Sequence, residues 1–128
     1  MKNYLIDTNV IIDYLRQNAK ISLWFNQLKR PQISVITAAE LYQGVRNKTQ
    51  LRAIRSLIDH FMVLPIDPNT SFLAISLLEK YFLSQNLLIL DALIAATAIE
   101  NDLFLVTDNS KHFKFIPSLK LIASVDVI

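Results

Sequence analysis

Short apolar runs separated by polar breaks and by helix-period stripes set the rhythm of this chain. Tyr4-Leu5-Ile6 is the first run, and Asp7-Thr8-Asn9 ends it with residues that stop a strand and cap a helix. Val10, Ile11, Tyr14 and Leu15 then recur at helical spacing. Ile21, Leu23, Trp24, Phe25 and Leu28 predict a second helix, closed by Pro31. Gln32 to Ile36, with β-branched Ile33, Val35 and Ile36, reads as a second strand. Thr37 follows as the expected N-cap, with Glu40 three residues on as a capping box, and the helix runs over Ala38–Val45 with Gly44 near its end.

Leu51, Ile54, Leu57, Ile58 and Phe61 make another amphipathic stripe, and Met62 to Ile66 a short strand. Asp67-Pro68-Asn69 reads as a turn before a long helix whose apolar face is expected at Phe72, Ile75, Leu78 and Phe82. Asp91 opens a helix to about Asn101, Leu103 to Val106 is a strand, and Leu119 to Ala123 the last one. Helices alternate with short, continuously apolar strands. That succession predicts an α/β fold with a mainly parallel sheet covered by helices on both faces. At 128 residues, without an internal repeat or linker, one domain over 1–128 is expected.

Composition narrows the chemistry. Apolar residues make up 52% of the chain and charged ones 19%, which excludes a disordered protein. There is no cysteine, so no disulfide, thiolate zinc site or thiol nucleophile. A single glycine excludes the glycine-rich phosphate loops. A net charge of +2 marks no nucleic-acid binder by itself. The N-terminal stretch from Met1 is too soon interrupted by Asp7 for a secretory signal, and Leu87 to Ile99 is too short for a bilayer. The expectation is a soluble, cytoplasmic protein without a membrane partner.

The acids carry the functional signal. There are only eleven, and Asp7, Glu40, Asp91 and Asp108 lie in apolar surroundings. An isolated buried carboxylate is costly, so each needs a partner. Asp7 and Asp108 follow strands, and Glu40 lies early in the helix after another. Ligands of open α/β sheets bind beyond the carboxyl ends of the strands. Chain-distant acids gathered there can share a hard cation, Mg2+ or Mn2+, and such a site suits phosphodiester hydrolysis. Each acid also has a plainer reading: Asp7 and Asp91 as helix caps, Glu40 as half of a capping box, Asp108 as a turn residue.

Four motifs resolve much of that ambiguity. Leu5-Ile6-Asp7-Thr8-Asn9, Ile36-Thr37-Ala38-Ala39-Glu40-Leu41, Asp91-Ala92-Leu93-Ile94-Ala95-Ala96 and Leu105-Val106-Thr107-Asp108-Asn109 stand in the order seen in PIN-domain ribonucleases. The chain resembles most the VapC-like toxins of toxin–antitoxin pairs, over essentially its whole length, Lys111-His112-Phe113 included. The resemblance implies a three-layer α/β/α fold and Mg2+- or Mn2+-dependent endoribonuclease activity. It implies Asp7, Glu40 and Asp91 as the metal-binding acids, with Asn109 at the fourth catalytic position and Asp108 beside it. Thr107 and Asn9 match supporting polar residues. A cognate antitoxin and a homodimer are implied as partners. The competing readings are a non-catalytic binding module of the same fold and a processing or repair nuclease.

The remaining polar residues say less. His112 reads as a surface or packing residue, His60 as structural at a helix end, and Trp24 and Phe25 as core or subunit contact. Arg46, Lys48, Arg52 and Arg55 lie in an acid-free stretch from Leu41 to Ile58. They are either a solvated helix face or a surface that binds RNA or antitoxin.

Overall fold

The computed structural model describes residues 3–28 and 30–127, so Met1 and Lys2 of the N-terminal stretch lie outside it. Five strands, β1 (Tyr4–Ile6), β2 (Gln32–Ser34), β3 (Met62–Leu64), β4 (Phe104–Val106) and β5 (Lys120–Ile122), form one sheet in the order β3-β2-β1-β4-β5. Every pairing is parallel. The helices between them are α1 (Thr8–Leu15), α2 (Ala19–Gln27), α3 (Val35–Gln43), α4 (Lys48–Ile58), α5 (Pro68–Gln85) and α6 (Ile89–Glu100).

The sheet divides the interior in two because successive strand residues face opposite sides. Leu5 and Leu105 belong to one core, with Ala74 and Leu77 of α5 and Ala92, Ala95 and Ala96 of α6. Their neighbours Ile6 and Val106 belong to the other, with Val10 and Ile11 of α1, Trp24 and Phe25 of α2 and Ile54 of α4. The result is a three-layer α/β/α sandwich. Trp24 and Phe25 are core residues, and Phe25 also meets the Tyr14 and Phe61 rings. His60 is exposed, with Nδ1 2.8 Å from the Ser56 carbonyl at the end of α4.

Local structure departs from the sequence pattern in four places. The second strand stops at Ser34, whose hydroxyl caps α3 through the Ile36 amide; Val35 and Ile36 are helical, and Thr37 is buried inside the helix instead of capping it. Asp67-Pro68-Asn69 is the start of α5: Asp67 accepts from the Thr70 amide and Pro68 takes the first turn. That bond holds the Asp67 carboxyl below its ordinary range. Helix α6 begins at Ile89 behind Leu88, so Asp91 lies within its first turn and does not cap it.

The fourth departure concerns α5. Its buried face is Thr70, Ala74 and Leu77, while Phe72, Ile75 and Phe82 are exposed, as is Leu83 at 95%. Leu77, with partly buried Leu73, Leu78 and Tyr81, packs into the core shared with the alanine-rich α6, so Leu78 lies on the packed side as expected while Phe72, Ile75 and Phe82 do not.

Among the described residues no helix is long and apolar enough to cross a membrane.

Candidate active site

Strand order reverses between β1 and β4: the chain steps from β1 towards β2 and β3 on one side, while β4 and β5 lie on the other. The carboxyl ends of these two neighbours form the switch point where open α/β sheets bind ligands. Asp7 and Thr107 are the residues that leave those two strands.

Asp7 caps α1 and is buried, 6% exposed. Its amide continues the sheet by donating to the Val106 carbonyl at 2.9 Å. One carboxylate oxygen accepts from the Thr8 amide at 2.8 Å. The other accepts from Asn9 Nδ2 at 3.0 Å and from the Thr107 hydroxyl at 2.8 Å. Burial nevertheless raises the Asp7 pKa above its ordinary value. The bonds from Thr107 and Thr8 oppose the shift, and the charges of Asp91 and Glu40 add to it.

Glu40 does not close a capping box. It reaches across from α3, and its Oε1 accepts from the Thr8 hydroxyl at 2.8 Å; Thr37 Oγ1 lies 3.3 Å from the same hydroxyl. Asp91 comes from the start of α6, about a third exposed, with Oδ2 3.3 Å from Nδ1 of His112. Burial also raises the Asp91 pKa, and His112 pulls it back.

Asp108 and Asn109 separate. The Asp108 carboxylate turns to the C-terminal segment and accepts from the Ser124 amide at 2.9 Å and hydroxyl at 2.7 Å. The Asn109 amide N–H donates to Thr107 Oγ1 at 3.1 Å. Its residue lines a cavity of about 300 Å³ together with Asp7, Thr8, Asn9, Ile12, Glu40, Asp91 and His112. Asn9 ties the loops together, since its Oδ1 accepts from the Asp108 amide. The structure thus brings Asp7, Glu40, Asp91 and Asn109 to one cavity and leaves Asp108 outside it.

His112, read from the sequence as a surface or packing residue, is exposed and also forms part of the cavity wall. A lone histidine gives no sequence signal of this; only its place close after Thr107-Asp108-Asn109 hints at it.

The donor set suits a hard cation: carboxylates and an amide oxygen, with no sulfur. Among the described residues no three of the acids and histidines close into a preformed cage. Mg2+ is commonly held by one or two carboxylates, with water and phosphate completing its shell. An open acidic cavity fits that habit.

A second, more apolar groove of about 460 Å³ shares Thr8, Ile12 and Glu40 with the cavity and continues past Leu41, Val45 and Ile54. Lys48, Arg52 and Arg55 recur along α4 at i, i+4 and i+7 and so share a face. With Arg46 they are exposed, and among the described residues none of the four is in an ion pair.

Comparison with known proteins agrees with this fold. The PIN domain family model matches residues 4–117. Ribonuclease VapC10 of Mycobacterium tuberculosis is 34% identical over 120 residues, covering 91% of this chain and 90% of the relative. The structure of VapBC2 from Rickettsia felis, bound to a DNA fragment from their promoter, superposes with a TM-score of 0.80 at 26% identity, covering 94% of this chain and 97% of the other. A toxin-antitoxin complex from Klebsiella pneumoniae gives a TM-score of 0.78 at 27% identity, over 94% and 96%.

Proposed function

This chain belongs to the PIN-domain family, and we propose that it is the ribonuclease toxin of a toxin–antitoxin pair, a hydrolase that cuts RNA phosphodiester bonds with Mg2+ or Mn2+. The observation that carries the reading is the meeting of Asp7, Glu40, Asp91 and Asn109 around one cavity at the switch point of the sheet.

Asp7, Asp91 and Glu40 would hold the cation. When bound, it supplies an activated water and offsets the charge of the phosphate. The chain's own part is to keep the acids aimed. The Thr8 amide, Asn9 and Thr107 fix Asp7, and the Thr8 hydroxyl fixes Glu40. Asn109 lines the cavity as a neutral oxygen donor, which adds no fourth negative charge. Arg46, Lys48, Arg52 and Arg55 then face RNA phosphates, or an antitoxin that occupies the same surface.

The chain acts as one domain over 1–128, in the cytoplasm, with a cognate antitoxin as its inhibitor. It pairs as a homodimer, and the exposed apolar strip of α5 supports that state.

RNA cleavage by the purified protein, with and without Mg2+ or Mn2+, tests the proposal. Cleavage is expected with either ion, lost in EDTA and lost in Asp7→Asn. Equal cleavage in EDTA, or full activity in Asp7→Asn, overturns it.

A further inference from the structure

His112 is the one polar residue of the cavity wall that the proposed function leaves without a task. Its position is held from beneath. The next residue, Phe113, is fully buried in the core that α5 and α6 share. Short backbone bonds close the turn around it: His112 N–H to Asn109 O at 3.0 Å, Phe113 N–H to Ser110 O at 3.0 Å and Lys114 N–H to Ser110 O at 2.8 Å. A buried neighbour therefore sets the ring over the cavity.

Packing does not fix the ring's orientation, because the side chain is 46% exposed. Its polar contact is with Asp91. Asp7 and Asp91 differ sharply in this respect. Asp7 is held by three donors, two of them side chains from distant or neighbouring loops. Among the described residues, His112 is the side chain bonded to Asp91. A carboxylate only accepts, so the bond requires the hydrogen on Nδ1.

We infer that His112 is a positioning residue for Asp91, whose Nδ1–H keeps that carboxylate turned into the cavity. The inference rests on the reading of the site as a metal-dependent ribonuclease. Partners of this kind, once removed, cost metal sites about 10–100-fold in affinity or activity. The role predicts a particular pattern of rescue. An asparagine side chain places an N–H where Nδ1 stands, whereas a glutamine reaches only to the position of Nε2.

Two measurements test it. The first needs neither metal nor RNA: long-range 1H–15N NMR of the ring at a pH above imidazole's ordinary range. Wild type is expected as the Nδ1–H tautomer, reverting in Asp91→Ala to the Nε2–H form that free imidazole prefers. The second is calorimetric Mn2+ titration. Affinity should fall about 10–100-fold in His112→Ala and His112→Gln and stay near wild type in His112→Asn, with all three melting alike. An Nε2–H tautomer in wild type overturns the inference, and so does Mn2+ affinity that is equal in all variants or as poor in His112→Asn as in His112→Ala. Wild type that neither binds Mn2+ nor cuts RNA sinks the ribonuclease reading instead, and the tautomer then decides the His112–Asp91 contact alone.

Discussion

Thr107 stands one hundred residues from Asp7 in the chain, and its hydroxyl donates to the Asp7 carboxylate at 2.8 Å. Parallel pairing of β1 with β4 makes this happen, since Ile6 lies opposite Val106 and the next residue of each strand meets at the carboxyl end of the sheet. The hydroxyl is fully used: it gives its one hydrogen to Asp7 and accepts from Asn9 Nδ2 and the Asn109 amide. Thr107→Val keeps the shape and removes all three bonds. It should cost about 1–3 kcal/mol, the usual penalty for buried polar groups left unpaired. Thr107→Ser should retain most of the stability and the cleavage. Thermal unfolding of both variants checks this, and a valine variant that melts like wild type would refute it.

Asp108 and Asn109 allow a sharper test of which residue belongs to the cavity. Asp108 binds Ser124 and anchors the C-terminal segment, so Asp108→Asn should lower stability modestly and leave metal affinity unchanged. Asn109→Asp adds a carboxylate to a wall that already carries three. Metal binding should tighten, and the metal-free protein should lose stability through like-charge repulsion. Calorimetric titration separates the two. A larger loss of affinity in Asp108→Asn than any change at Asn109 would reverse the assignment.

The outer face of α5 presents Phe72, Ile75, Phe82 and Leu83 to solvent. If a second copy covers it, a stable interface should bury at least about 1,000 Å² in total. Light scattering should then show a dimer at micromolar concentration, and Leu83→Glu should produce a monomer that is still folded. A monomeric wild type would return the strip to some other partner.

That same helix shows where sequence patterning stops. It is apolar on two sides, and periodicity favours the larger residues, Phe72, Ile75 and Phe82. Packing chose Thr70, Ala74 and Leu77, the face that turns to the core shared with the alanines of α6. The strand-to-helix step at Ser34 was hidden in a similar way: Val35 and Ile36 have strand-forming side chains, and no break precedes the helix. By contrast the strand-to-helix step at Asp7-Thr8-Asn9 was legible, since three polar residues interrupt apolar runs on either side. The approach of Glu40 to Thr8 and of His112 to Asp91 was not, because both pairings depend on tertiary placement that leaves no local pattern.

The α4 cations give a prediction that needs no chemistry. Lys48, Arg52 and Arg55 share an exposed face of α4, opposite the side on which Gln50, Ala53 and Ile54 line the groove that leads to Glu40. Neutralising a side chain that pairs with one phosphate should reduce the salt slope of RNA binding by about 0.7, the value for single strands. The double variant Arg52→Gln/Arg55→Gln should therefore bind RNA more weakly with a flatter salt dependence, and cut bound RNA at an unchanged rate. Unchanged affinity and slope would mean a solvated helix face.

The last prediction turns the strain at Asp7 into a stability measurement. Burial and the Asp91 and Glu40 charges raise the folded pKa of Asp7 above the ordinary 3.8. Between those two values the folded protein binds more protons than the unfolded chain, so stability falls as pH rises through the window. Above the folded pKa the whole penalty is present; below the ordinary value it vanishes. In EDTA, Asp7→Asn should thus melt higher than wild type at neutral pH, and the gap should close on acidification below about pH 4. Metal should invert the order. A ligand at a hundred times its dissociation constant stabilises the state that binds it by about 2.7 kcal/mol, and only wild type keeps the Asp7 carboxylate that holds it. Melting curves at two pH values, with EDTA and then with Mg2+, give four comparisons. An Asp7→Asn variant that melts below wild type in EDTA at neutral pH would show that its three donors outweigh burial and repulsion.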